Sequence, residues 1–126
     1  MPEKGRAAQP GQGEPALVVG KAYDLCLWLL PKVEKLPRAY KFTIGERLVT
    51  ESLSLLLSLV EAAYSRSKEA ALARAVTHTN AVRYLLRLSK DLRLIPESSW
   101  EFAAERVDEI GRMVGGWRRA KGEPGA

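Results

Sequence analysis

Apolar residues recur every three or four positions along four stretches of this 126-residue chain, which is the spacing of helices with one buried face. The pattern predicts helices over residues 16–36, 44–65, 68–92 and 96–117. No stretch alternates apolar and polar residues between turn signals, so we expect no strands. The short links between helices favour an all-α fold, an antiparallel up-down four-helix bundle over residues 16–117.

Prolines and capping residues predict where the first two helices end and begin. Pro31 lies inside the first apolar pattern, where it should kink or split the helix, and Pro37 should end it. Thr43 followed three residues later by Glu46 is the capping-box pattern, so the second helix is expected to begin at Ile44. The sequence therefore predicts a break between these two helices.

The two ends of the chain differ from its body in composition. Residues 1–15 are rich in Gly, Pro and Gln and are expected to form a disordered tail, whereas residues 118–126 are expected to form a basic, flexible one. Gly115 and Gly116 should loosen or end the last helix just before that second tail. The start of the chain lacks the apolar segment of a secretory signal, and no apolar run reaches the roughly 18–20 residues that span a bilayer. We therefore expect a cytoplasmic protein with no membrane partner.

Side chains that catalysis or metal binding requires are sparse. His78 is the only histidine and lies among apolar helix positions, so a packed, hydrogen-bonded histidine is favoured over a catalytic or metal-binding one. Cys26, the only cysteine, is expected to pack as a small apolar side chain. No phosphate-binding glycine loop, nucleophile elbow or Cys-x-x-Cys pair occurs. We expect no enzymatic activity, no cofactor, no metal and no small-molecule substrate.

A net charge of +5 raises the possibility of an anionic partner. The third predicted helix is the most basic part of the body, where Arg83, Arg87 and Lys90 share one face and Arg93 extends it. A basic stripe along a helix is the electrostatic footprint of nucleic-acid binding. The alternative is a solvated face whose charges are paired with nearby acids.

The first loop combines basic and aromatic side chains. Arg38 and Lys41 lie beside Tyr40 and Phe42, an arrangement that can stack on and clamp single-stranded nucleic acid. The alternative is that these aromatic side chains cover the end of the bundle. Arg38 and Lys41 are therefore further candidates for nucleic-acid contact.

The fourth predicted helix is acidic over its first half, opposite in sign to the third. Glu101, Glu105 and Glu109 are spaced four residues apart, so they form one stripe. A molecule that is basic on one helix and acidic on the next can pair head to tail with its own copies and close a ring. Gly111 would let a helix of a neighbouring copy approach closely. These four residues are the expected oligomer interface.

Several stretches of the chain resemble the accessory variability determinant (Avd) of diversity-generating retroelements. The wider group is the four-helix-bundle proteins that include those encoded in intervening sequences of large-subunit ribosomal RNA genes. The resemblance covers about residues 16–117. Its most specific pieces are PRAYKFTIGERL (residues 37–48) and DEIGRMVGGW (residues 108–117). It extends to AYDLCLWLLPKVEKL (residues 22–36), YSRSKEAAL (residues 64–72), YLLRLSKDLRLI (residues 84–95) and EFAAERV (residues 101–107).

The resemblance implies a small, basic four-helix bundle that assembles as a barrel-shaped homopentamer and has no catalytic site. It implies three partners: the reverse transcriptase of the same element, RNA or DNA, and further copies of the chain. Together with the template-repeat RNA, such proteins support synthesis of the adenine-mutated cDNA that replaces a variable region in a target gene. Basic surface residues make the family's contacts, and Arg83 and Arg87 match them. The alternative function is a self-assembling scaffold of the intervening-sequence type, with no reverse transcriptase partner.

Overall fold

The computed structural model describes residues 13–122, with side chains for residues 15–120, and contains helices and no strand over that range. The first helix packs against the second and fourth, and the third packs against the same two, so all four surround one core. The predicted all-α fold with four helices is confirmed. The helices are α1 (Gly13–Glu34), α2 (Glu46–Tyr64), α3 (Lys68–Asp91) and α4 (Glu97–Gly122).

The core consists of aliphatic side chains that all four helices contribute. These positions recur at helical spacing, so each helix buries one stripe and leaves the opposite one in water. Fully burying one leucine stabilises the fold by about 1.5–3 kcal/mol, so this cluster is the main favourable contribution to folding. Its largest fully buried aliphatic side chains are Val18 of α1, Leu55 and Leu59 of α2, Leu72, Val82 and Leu86 of α3, and Val107, Ile110 and Val114 of α4.

The chain enters α2 through two short helical segments instead of a capping box. Arg38–Tyr40 form a single α-helical turn, and Lys41–Gly45 form a π-helical turn that leads directly into α2. The Thr43 hydroxyl donates a hydrogen bond to the Tyr40 carbonyl oxygen at 3.2 Å and caps no amide of α2. The capping-box prediction is wrong because the preceding residues are already helical and supply backbone partners for the first turn of α2.

α1 continues through Pro31 to Glu34, so the prediction of a split there is wrong. Proline removes one backbone hydrogen bond from a helix interior. Leu29 and Val33 flank Pro31 and are buried in the core, whereas Pro31 itself is exposed. The packing of that buried face holds the helix together although one backbone hydrogen bond is lost.

α4 runs through Gly115 and Gly116, so the prediction that these glycines end the helix is wrong. Two side chains beyond or beside them tie this part of α4 to the bundle: Trp117 packs against the core, and the Arg118 guanidinium donates a hydrogen bond to Glu69 of α3. Such tertiary contacts outweigh the low helix propensity of glycine.

Within the described residues, helical structure extends into both segments that were expected to form tails. α1 begins at Gly13, inside the segment expected to be disordered, and α4 includes residues 118–122 of the segment expected to be flexible. The predictions for residues 1–12 and 123–126 lie outside the described residues. None of the described helices combines the length and the apolar character needed to cross a lipid bilayer.

Gly45, at the end of the π-helical turn, is buried where the chain passes close to α1. A Cβ atom at this position would lie 3.0 Å from Val33 Cγ1 and 3.2 Å from Leu36 Cδ1. The backbone of Gly45 is helical, with φ −60° and ψ −47°, which any residue can adopt. Glycine is favoured here because a side chain would not fit. The close approach of the two segments therefore depends on the missing side chain.

Candidate nucleic-acid interface

Arg83 leans from α3 towards α4. Its Nε donates a hydrogen bond to Asp108 Oδ1 at 3.1 Å, and its Nη1 donates one to Asn80 Oδ1 at 2.6 Å. Gly111 leaves space for the guanidinium, since a Cβ atom there would lie 3.2 Å from Arg83 Nη2. The helix that Gly111 admits in this structure is α3 of its own chain. The carboxylate of Asp108 therefore neutralises part of the positive charge that the sequence predicted for this face of α3.

Arg87 and Lys90 lie further along α3 and differ in their surroundings. Arg87 is exposed, and its nearest acidic atom is Asp91 Oδ2 at 3.9 Å. Lys90 Nζ lies 3.5 Å from Asp91 Oδ1 and 4.1 Å from the centre of the Trp100 ring. Trp100 is half-buried. Lys90 therefore covers this ring, whereas Arg87 remains accessible to an anion.

Arg93 follows α3 in the left-handed region, with φ 62°. Its amide donates to the Lys90 carbonyl at 2.9 Å, and the Leu94 amide donates to the Ser89 carbonyl at 2.8 Å. This pair of bonds is the Schellman motif that closes many helices, usually with glycine at this position. The exposed Arg93 side chain therefore projects from a fixed backbone at the end of α3.

Arg38 and Lys41 lie at the entry to α2 as the loop pattern suggested. Lys41 Nζ is 3.1 Å from Glu34 Oε1 and 5.9 Å from the centre of the Phe42 ring. Phe42 is 64% exposed, so its ring does not cover the end of the bundle. Arg38, Lys41 and Phe42 border a depression of about 340 Å³, so basic and aromatic side chains lie side by side there.

The acidic stripe of α4 has partners within the same chain. Glu109 Oε2 lies 3.2 Å from Lys21 Nζ and so links α4 to α1. Glu105 Oε1 accepts a hydrogen bond from its neighbour Arg106 at 3.2 Å, and Glu101 is exposed. These contacts account for part of the acidic charge without a second copy, and the oligomer interface at these residues stays a prediction.

α3 and α4 border a groove of about 310 Å³, whose lining includes Arg83, Arg112 and Gly111. An adjoining depression of about 340 Å³ shares Val76 with this groove and is lined by Gly115 together with Arg118, Arg119 and Glu69. Gly111 and Gly115 have no side chains, and the groups that border this space near them are arginines, three of which come from α4.

Sequence reasoning missed the three arginines that α4 contributes to this region. Arg118 and Arg119 lie in the segment expected to be a flexible tail, and Arg112 is not among the predicted site residues. In a continuous helix Gly111, Gly115 and Arg118 share one face, at i, i+4 and i+7, and Arg112 and Arg119, themselves seven residues apart, lie beside it. The expectation that the glycines end the helix hid that signal.

His78 and Cys26 are packed side chains, as predicted. His78 Nδ1 lies 2.7 Å from Glu51 Oε1, and both groups are largely enclosed. Cys26 is buried, its thiol donates to the Ser52 carbonyl oxygen at 3.4 Å, and burial raises the pKa of the thiol above its ordinary value. Among the residues that the structure describes, no three His, Cys, Asp or Glu side chains are grouped to hold a metal ion.

Comparison with known proteins assigns a family to the chain as a whole. A family model described as bAvd-like matches residues 16–121, a segment that includes nearly all of the four helices. No curated protein and no solved structure matches the chain.

Proposed function

The chain belongs to the bAvd-like family, and from this premise we propose that it is a non-catalytic accessory subunit of a diversity-generating retroelement. In this role it binds nucleic acid and the reverse transcriptase of the same element, and it supports mutagenic reverse transcription. The observation that carries the proposal is the family match over all four helices. That match agrees with the resemblance to Avd in the sequence.

Exposed basic side chains support the nucleic-acid part of this proposal. Arg87 and Arg93 are exposed near the C-terminal end of α3, and Arg38 is exposed at the entry to α2. Phosphate groups accept hydrogen bonds from arginine in paired, charge-assisted geometry. Contacts of this kind depend on charge and little on base identity. Such a surface suits a subunit that holds RNA or DNA while another protein performs the chemistry.

We propose further that the chain is an antiparallel bundle that assembles as a homopentamer. The antiparallel part is supported by contacts between α3 and α4: Glu69 with Arg118, Arg83 with Asp108, and Lys90 with Trp100. The first and last of these pairs join the start of one helix to the end of the other, and the pair of Arg83 with Asp108 joins their interiors. Assembly into a ring rests on the family resemblance and on the opposed charges of these two helices.

Binding of labelled RNA over a salt titration tests the proposed function. We expect the parent protein to bind RNA and DNA, to bind less tightly as salt increases, and to co-purify with the reverse transcriptase of its own element. Replacing Arg83 and Arg87 together with alanine should lower the affinity and flatten the slope of log affinity against log salt by about 0.7 for each phosphate contact that a single strand loses. Helix content by circular dichroism should not change.

A parent protein that binds neither nucleic acid at low salt nor the reverse transcriptase would contradict the proposal. If it nevertheless assembles, the alternative of a self-assembling scaffold replaces the accessory role. If the double variant falls apart into single chains, these arginines act between subunits, and Arg38 and Lys41 become the first candidates for nucleic-acid contact.

A further inference from the structure

The groove between α3 and α4 is bordered by more positive than negative groups. The groove is taken here together with the depression that adjoins it. Arg83, Arg112 and Asp108 line the first part, and Arg118, Arg119 and Glu69 line the second. Asp108 pairs with Arg83, and Glu69 pairs with Arg118. Within the described residues, no carboxylate lies in ion-pair distance of the other two arginines. The groove therefore carries a net positive charge that its own acids do not neutralise.

The absence of side chains at Gly111 and Gly115 lets guanidinium groups lie close to the backbone of α4. A Cβ atom at Gly115 would meet only Arg119 Nη1, at 3.6 Å, and one at Gly111 would meet Arg83 Nη2 and Thr79 Cγ2. Guanidinium groups thus lie over the part of α4 that has no side chains. Arg112 and Arg119 are seven residues apart, which is about 10 Å along a helix. They are therefore far enough apart to contact different phosphates of one strand.

We propose that this groove binds the phosphate backbone of an RNA or DNA strand. The proposal rests on the proposed function and names the surface that performs it. Arg112 and Arg119 supply donors for phosphate oxygens, and the planar guanidinium matches a phosphate in bidentate geometry.

The two ion pairs do not block the groove to a strand. The side chains of Asp108 and Glu69 are more than half exposed, so their pairs with arginine are screened by water and contribute little. An arginine can turn one N–H group to a phosphate while it keeps another on its carboxylate, because guanidinium has five donors. Arg83 already divides its donors in this way between Asp108 and Asn80.

The composition of the groove favours a nucleic acid over an acidic protein surface. Stable protein interfaces are centred on apolar or aromatic anchors. The aliphatic side chains in the lining are Val76, which is half-buried, and Val114, which is buried in the core. Neither offers a pocket for a partner's anchor. Phosphate binding needs charge and hydrogen-bond donors, and this lining supplies both.

Replacing Arg112 and Arg119 together with alanine tests the proposal. Anisotropy of a fluorescein-labelled single-stranded RNA, measured over a salt titration, should show an affinity at least about tenfold lower than that of the parent. The slope of log affinity against log salt should become shallower by about 1.4, or about 0.7 for each lost phosphate contact. The matched control is Arg47→Ala with Arg106→Ala, which removes two charges from α2 and α4 outside the groove and should change both values much less.

A second pair of variants tests the groove without removing an arginine. Gly115→Glu places a carboxylate at the groove, where a Cβ atom has room, and replaces glycine with a better helix former. Gly20→Glu makes the same change in charge on α1, where a Cβ atom would meet nothing within 4 Å. We expect the variant at Gly115 to weaken RNA binding at least about tenfold and the variant at Gly20 to bind nearly as the parent does.

The possible outcomes separate this inference from the proposed function. If the parent itself binds no RNA, nucleic-acid binding fails and the inference fails with it. If the parent binds but both groove variants bind as their controls do, the function stands and this location is wrong. If the groove variants bind RNA as the parent does but no longer co-purify with the reverse transcriptase, the groove binds an acidic protein surface. That outcome also overturns the inference.

Discussion

Arg93 ends α3 in a backbone conformation that suits glycine. In the left-handed region the Cβ atom of an L residue comes close to the following carbonyl group, which costs roughly 1–2 kcal/mol. The conformation persists because the Schellman hydrogen bonds around Arg93 close the helix and because Leu94 packs against the core. The strain at this position is the reason to test whether the Arg93 side chain contributes to binding.

Replacing Arg93 with glycine should stabilise the protein by about 0.5–1 kcal/mol, since the relief of strain outweighs the entropy that the unfolded chain gains. Thermal unfolding followed by circular dichroism measures this. Arg93→Ala is the control, because it removes the same charge and keeps the Cβ atom, and it should not raise the melting temperature. If both variants also bind RNA less tightly, Arg93 contributes to the basic surface. A lowered melting temperature for Arg93→Gly would contradict the strain argument.

The spacing of apolar residues predicts where the helices lie, but local sequence signals do not predict whether a proline or a glycine interrupts them. The start of α3 at Lys68 and the end of α2 at Tyr64 agree with the sequence to within one residue. Gly115 and Pro31 did not break their helices because tertiary packing outweighs local propensity. No local pattern announces that packing. The pairing of Arg83 with Asp108, twenty-five residues away, was likewise out of reach, because spacing along one helix says nothing about its neighbour.

At the entry to α2, two segments lie so close together at Gly45 that adding one methyl group there should lower the stability of the protein measurably. Gly45→Ala should destabilise the protein by about 1–3 kcal/mol, because Val33 and Leu36 must shift out of their packed positions. Gly20→Ala is the matched control in an exposed, open position of α1, and it should stabilise by about 0.5–1 kcal/mol. Urea unfolding of both variants measures the difference. Equal stabilities would show that the core yields at Gly45 without cost.

The surface of the whole molecule carries both charged and apolar areas. The groove of α3 and α4 is bordered by arginines, and the two most exposed leucines of the described residues are Leu27 of α1 at 60% and Leu57 of α2 at 63%, while α3 also exposes Tyr84 and Leu88. Large apolar side chains left in water commonly mark a surface that meets another protein. If the chain assembles, this arrangement lets copies pack through α1 and α2 and leaves the charged groove open. The acidic stripe of α4 is the competing interface.

Light scattering distinguishes these two interfaces. We expect the parent to have a mass about five times the 13.9 kDa of one chain. Leu27→Ser with Leu57→Ser should lower that mass and leave helix content unchanged, because both side chains are exposed in the single chain. Glu101→Ala with Glu105→Ala should have the larger effect if the acidic stripe is the interface. A parent with the mass of one chain at micromolar concentration would contradict assembly altogether.

The buried thiol of Cys26 has a practical consequence. The thiolate is the form that reacts with maleimides and disulfide reagents, and burial with a raised pKa suppresses it. Because the sequence holds no other cysteine, the folded protein offers a chemically silent background for thiol labelling. A fluorophore or crosslinker attached through a single introduced cysteine on α4 would then report on the groove alone, and it would follow a passing strand without altering the native residues that border it.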